Sequence, residues 1–135
     1  AFSQAEADKI QSVNIENADN PFYDVDGGNN TTDKVFLLSA DEVVKYFAPE
    51  QADTEWTTYC KYTNGAASCE ATEYAKANGV YEYSDGKCWW WLRTPGNDQR
   101  RASTVHDDGG VYVSGLAIHN DGYAVRPAMW ISLEG

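Results

Sequence analysis

At 135 residues the chain can build one domain with a real core, and it is too short for two comfortable ones. Hydrophobic residues at 42% and aromatics at 13% exclude a disordered segment. A net charge of -11, with no Lys/Arg-rich run to offset it, repels phosphate backbones and excludes nucleic acid as a partner.

No stretch approaches the roughly 18 uninterrupted apolar residues of a membrane span, so no membrane insertion is expected, and none resembles a signal peptide. The chain opens on Ala1 rather than Met, which fits a leader or N-terminal portion removed earlier. The three cysteines, Cys60, Cys69 and Cys88, are an odd count with no zinc spacing. One disulfide plus a free thiol (Cys69 with Cys88, or Cys60 with Cys69) and three reduced thiols both fit.

Ser3 and Glu6 have the S-x-x-E form of a capping box with Phe2 as staple residue. They predict a helix from about Ala5 to Val13 along Ala7, Ile10 and Val13. Asn20-Pro21 and the stretch Asp24 to Asn30 are polar, glycine-rich loop. Lys34 to Leu38 is an apolar run that reads as a buried strand. Ser39 and Glu42 repeat the capping box and open a helix through Val43, Val44, Tyr46 and Phe47 that stops before Pro49. Residues 50–68 have no period and read as a surface excursion. Ser68 or Cys69 starts a third helix, Ala71 to Asn78, with Gly79 as its C′ residue. Val80 to Tyr83 reads as a short strand before the turn Ser84-Asp85-Gly86-Lys87.

From Cys88 the pattern is β. Strands are predicted at Cys88–Leu92, Ala102–Val105, Val111–Val113, Ala117–His119 and Val125–Leu133, divided by the turns Asp108-Gly109-Gly110, Ser114-Gly115 and Asp121-Gly122. Helices first and short strands after predict an α+β domain spanning 1–135.

Asp24, Asp26, Asn29 and Asp33 suggest a calcium loop, but an EF-hand begun at Asp24 wants Gly and Glu where Asn29 and Val35 stand. A hydrogen-bonded Asx-rich loop is the reading, and no metal or cofactor is expected. His106 and His119 are the only histidines, and an enzyme using either with Asp107 or Asp121 is the alternative function. No G-x-S-x-G or H-E-x-x-H motif supports it, so no catalytic residue is assigned. Strand alternation puts Trp89 and Trp91 on one face and Trp90 on the other; core packing is expected for at least two of the three, against a sugar-stacking platform. Arg93 and Arg126, each near a proline, are expected to bond backbone carbonyls or a carboxylate.

The sharpest signal is an absence. The 29 residues from Arg100 to Ala128 contain no Lys, Glu, Gln, Met or Trp, types that supply 25 residues of the chain. Turns and strands deplete Lys, Glu and Gln and account for part of it. A codon of the form A-A-pyrimidine with randomised adenines accounts for all of it, since such a codon encodes none of the five.

The phrases AFS-x-x-E, DKVFLLS, ATEYAKANG-x-Y, C-WWWLR-T-PG and AVRPAMWI resemble DUF6273, a bacterial domain family of unknown function frequent in gut bacteria and their phages. The resemblance implies a C-type lectin-like fold, with short helices in the N-terminal half and a small, mainly antiparallel twisted sheet in the C-terminal half. It also implies likeness to the variable proteins of diversity-generating retroelements, whose ligand-binding surface is rewritten at template adenines. Carried onto this chain, residues 97–124 form the variable region. Its ligand-binding positions are Asp98, Arg100, Arg101, Ser103, Thr104, His106, Asp107, Tyr112, Val113, Leu116, Ala117, His119, Asn120 and Tyr123. The frame is Ala102, Val105, Gly109, Val111, Gly115, Ile118, Val125, Arg126, Pro127 and Trp130.

Family members carry a further segment before the AFS phrase, so the first strand of a lectin-like sheet is expected to be missing, shortened or supplied by another chain. The E-P-N and W-N-D signatures of calcium-dependent sugar binding are absent, as is the cysteine placement of formylglycine-generating enzymes. The expected function is a non-enzymatic recognition module for a protein or glycan ligand, on a bacterial cell surface, secreted, or on a phage particle. A structural cell-surface module without diversification is the other non-enzymatic alternative.

Overall fold

A four-stranded antiparallel sheet carries the C-terminal half, and one capped helix closes its inner face. The computed structural model describes residues 2–134. Among them are the helices α1 (Gln4–Ala7), α2 (Ala40–Phe47) and α3 (Glu73–Ala77), and a 3-10 turn at Pro49–Gln51. The strands are β1 (Val13–Ile15), β2 (Thr31–Asp33), β3 (Cys60–Lys61), β4 (Cys69–Glu70), β5 (Lys87–Cys88), β6 (Trp90–Pro95), β7 (Arg101–Val105) and β8 (Val111–Ala117). The main sheet runs β3-β8-β7-β6, and β1-β2 and β4-β5 form separate antiparallel pairs. The architecture is α+β.

α2 forms where its sequence says it should. Ser39 Oγ accepts from the Glu42 N–H while the Glu42 carboxylate accepts from the Ser39 N–H, closing a reciprocal capping box. The helix buries Ala40, Val43 and Val44 against β6 and β8. Alternation along β6 turns Trp90, Leu92 and Thr94 inward, and Val105, Val111 and Val113 complete the core beside Ala67. Each such apolar side chain contributes about 1.5–3 kcal/mol on burial.

Asn20, buried in the loop between β1 and β2, ties that loop to the sheet. Its Nδ2 donates to the carbonyls of Pro95, Gly96 and Val113, while its Oδ1 accepts from the N–H groups of Phe22 and Tyr23. The neighbouring Asp residues make Asx contacts: Asp26 Oδ1 accepts from the Gly28 N–H and Asp19 Oδ1 from the Gly27 N–H.

Several elements differ from the sequence reading. The first helix ends at Ala7, because Ile10 bridges Ile131 and Val13 pairs with Asp33; a helix this short is marginal alone and yields to tertiary pairing. Lys34 to Leu38 is no buried strand: Phe36 makes a single bridge to Ala128 and Val35 is exposed. The 50–68 excursion is more than surface, since it supplies β3 and buries Lys61, Thr63 and Ala67. α3 is capped by Thr72, whose hydroxyl accepts from the Ala75 N–H, while Cys69 belongs to β4. Val80 to Tyr83 forms no strand; its longer-range backbone tie is a single bond from the Tyr81 N–H to the Gly122 carbonyl.

Val111–Val113 and Ala117–His119 are not two strands with a turn between them. Gly115 holds φ at 73° and bulges β8 without breaking it. Val125–Leu133 also forms no continuous strand. Pro127 has no N–H to offer a ladder, and the segment is held at isolated bridges from Ala128 to Phe36 and from Ile131 to Ile10. Among the described residues, no helix is long and apolar enough to cross a membrane.

Candidate functional site

Alternation in β6 that sends Trp90 into the core leaves Trp91 on the sheet's other face, with Trp89 two residues before it on the same side. Strand register then sets Trp91, Thr104, Tyr112 and Cys60 in one cross-strand row. At the end of the sheet where β7 turns into β8, a strip of aromatic rings crosses it.

The rings stack. His106 lies between Trp89, with centroids 3.6 Å apart and planes at 5°, and Tyr112, at 3.7 Å and 13°. Tyr83 stacks on Trp89 at 5.0 Å, and Tyr81 meets Tyr83 edge-on at 4.8 Å. Tyr123 lies nearly parallel to Trp89 at 5.6 Å and edge-on to Trp91 at 5.4 Å. At the far end Tyr59 and Tyr62 approach Tyr112, and the hydroxyls of Tyr62 and Tyr112 are 3.3 Å apart. Each such pair contributes about 0.5–1.5 kcal/mol beyond its buried area. Trp89 Nε1 donates to Asp107 Oδ1 at 2.9 Å, so that carboxylate orients the indole rather than a histidine.

The strip is uncharged at its rings and acidic at its border. Burial lowers the His106 pKa to about 4, against a weaker upward pull from Asp108 and Asp107. Burial likewise raises the Tyr83 hydroxyl to about 12, helped by Tyr123 and Asp107. The Tyr112 hydroxyl is raised too, first by its hydrogen bond with Tyr62 and then by burial.

Two recesses hold other expected residues, one beside the strip and one apart from it. Asn120, Asp121, Gly122 and Tyr123 line a recess of about 380 Å³ with Tyr81 and Tyr83, so Asn120 borders the strip. At the opposite end of the β7–β8 hairpin, Asp98, Arg100, Arg101, Ala117 and His119 line a recess of about 370 Å³. There the Asp98 carboxylate sits 3.6 Å from Arg100 and 4.0 Å from Arg101, exposed pairs of little energetic weight. Leu116, half-buried, pairs with Ala102.

Thus His106, Asp107, Tyr112 and Tyr123 meet in the strip, Asn120 at its rim, and five more residues in the second recess. Three expected surface positions are not on the surface. Val113 faces the core by strand alternation, Ser103 is buried with its hydroxyl donating to the Pro95 carbonyl, and Thr104 is buried in the row between Trp91 and Tyr112. Ile118, Val125 and Trp130, expected in the frame, are instead exposed. Of the three adjacent tryptophans only Trp90 packs in the core, where at least two were expected. Trp89 and Trp91 lie with Tyr83 in the strip, and the expected site omits all three rings, although alternation sets the two tryptophans apart from Trp90. Tyr59 and Tyr62 come from the 50–68 segment, which has no period, and Tyr81 from Val80–Tyr83, read as a strand with no tie to the site.

The framing arginines divide. Arg93 donates to the carbonyls of Leu37 and Glu16 and pairs with the Glu42 carboxylate, joining three segments as expected. Arg126 instead lies over the rings of Trp90 and Phe47, at 4.9 and 5.4 Å. Among the described residues, no group of three or more His, Cys, Asp or Glu is placed to hold a metal ion.

Residues 1–133 match the family model described as a domain of unknown function, DUF6273. The chain belongs to the DUF6273 family. The DUF6273 match takes in the aromatic strip, both tryptophan-bearing motifs and all three cysteines. No curated protein and no solved structure matches the chain.

Proposed function

We propose that this DUF6273 domain is a recognition module of C-type lectin-like architecture, with a diversifiable surface spread over both ends of the β7–β8 hairpin. One observation carries the reading: the restricted filling from Arg100 to Ala128 supplies His106, Asp107, Tyr112 and Tyr123 at the middle of the strip and Arg100, Arg101, Ala117 and His119 in the second recess, while the remainder of the chain supplies the flanking rings. Tyr, His, Arg and Asp in that setting are the amphipathic and hydrogen-bonding set that interfaces use. The ligand is a protein or a glycan: Trp89 is already stacked by His106, Tyr83 and Tyr123, whereas Trp91 meets only Tyr123, near-perpendicular to it, and Tyr59, Tyr62 and Tyr81 are exposed.

The diversified positions narrow to Asp98, Arg100, Arg101, His106, Asp107, Tyr112, Leu116, Ala117, His119, Asn120 and Tyr123. Sequencing the DNA around the coding region tests this. The expected result is a near-copy of the 3′ coding region beside a reverse-transcriptase gene, its differences falling at adenines in these codons. A locus without that copy, in strains whose domains are identical at these positions, overturns the diversified surface.

A further inference from the structure

Cys69 and Cys88 stand directly opposite each other across the β4–β5 pair. Such partners have Cα atoms about 4.5–5.5 Å apart, inside the range of about 4.4–6.8 Å that a disulfide spans. Cys88 Sγ lies 3.5 Å from the Cys69 carbonyl oxygen, and the two thiols are near enough to hydrogen-bond. Cys60 belongs to a different sheet, on β3 beside Tyr112 and Tyr62. The fold therefore selects one pair from three cysteines.

We propose that Cys69 and Cys88 are a redox site, a dithiol that low-molecular-weight disulfides such as oxidised glutathione convert to an intramolecular disulfide. Cys88 is buried and Cys69 only partly so, which makes Cys69 the first sulfur an oxidant reaches. The Cys69 thiolate attacks one sulfur of the oxidant, forming a mixed disulfide and releasing one thiol. The Cys88 thiolate then attacks the Cys69 sulfur and expels the second thiol. The protein gives up two electrons and two protons, and the oxidant leaves as two thiols. Burial pushes the Cys88 thiol up, so the second step accelerates as pH rises.

The bond closes the segment that carries α3, Tyr81 and Tyr83, and Cys88 directly precedes Trp89. Oxidation thereby anchors both sides of the Tyr83–Trp89 stack, whatever ligand the strip takes. The inference stands without the recognition reading.

The test treats the whole chain with oxidised glutathione, counts thiols after denaturation and maps the linked peptides. The count is expected to fall from three to one, with Cys69 joined to Cys88. Cys60→Ser is expected to fall from two thiols to none with the same link, whereas Cys69→Ser forms no intramolecular bond. A link involving Cys60, or a wild-type chain left with three thiols or only glutathione adducts, overturns the proposal. If circular dichroism shows that Cys69→Ser has not folded, the mapped link in Cys60→Ser decides alone.

Discussion

Asn20 is a buried amide whose hydrogen-bonding capacity is filled by backbone. Truncating it removes the side-chain partner of the Gly96 and Val113 carbonyls and of the N–H groups of Phe22 and Tyr23, while the Pro95 carbonyl keeps the Ser103 hydroxyl. A buried polar group left without a partner costs about 1–3 kcal/mol, so Asn20→Ala is expected to lose about 2–4 kcal/mol in total. Urea unfolding checks it, as a lower midpoint at unchanged slope; a loss below about 0.5 kcal/mol would mean that water replaces the amide. Thr104 is the opposite case. Its hydroxyl is buried without a partner, in register between Trp91 and Tyr112. Thr104→Val removes that unmet group at nearly constant volume, and stability is expected to hold or rise by about 1 kcal/mol. A clear loss in the same urea experiment would reveal a bond to that hydroxyl and contradict the orphaned group.

At the scale of elements, what was legible was local. Ser39 and Glu42 are three residues apart, and the bonds that start α2 lie wholly between them. The alternation of Trp89, Trp90 and Trp91 needs only a strand's period of two, and it sorts core from outer face. What was not legible depended on partners distant in sequence. Val13 joins Asp33, Cys60 joins Tyr112, and Ile10 meets Ile131, pairings that no local period encodes. Gly115 shows how one residue type carries two meanings: Ser114-Gly115 has turn chemistry, yet the positive φ serves a bulge inside β8. A Cβ there would lie 2.5 Å from the Ala102 carbonyl oxygen, so close approach of β7 also demands glycine. The candidate site was legible in the same uneven way. Its restricted filling stands out in composition, whereas the rings from Tyr59, Tyr62 and Tyr81 reach the strip only through tertiary structure.

For the whole molecule, the strip couples recognition chemistry to stability through two titrations of opposite sense. An unfolded histidine ionises near about 6.5, whereas folded His106 waits until about 4. The fold favours its neutral form, so this contribution is complete above about 6.5 and is lost as pH falls through about 4. Tyr83 mirrors it. An unfolded tyrosine ionises near about 10 and the folded one near about 12, so its contribution is complete below about 10 and is lost as pH rises further. Thermal midpoints measured across pH should therefore hold a plateau between the two limits. Carboxylates also titrate on the acid side, so the decisive comparison is with His106→Phe, which keeps an aromatic ring in the stack and removes the proton site. Below about 6.5 the wild-type midpoint is expected to fall faster than that of His106→Phe, with the near-ultraviolet dichroism of Trp89 fading in step. Superimposable acid limbs would mean that His106 titrates in the fold as it does in the unfolded chain, and the closed stack between Trp89 and Tyr112 would have to be abandoned.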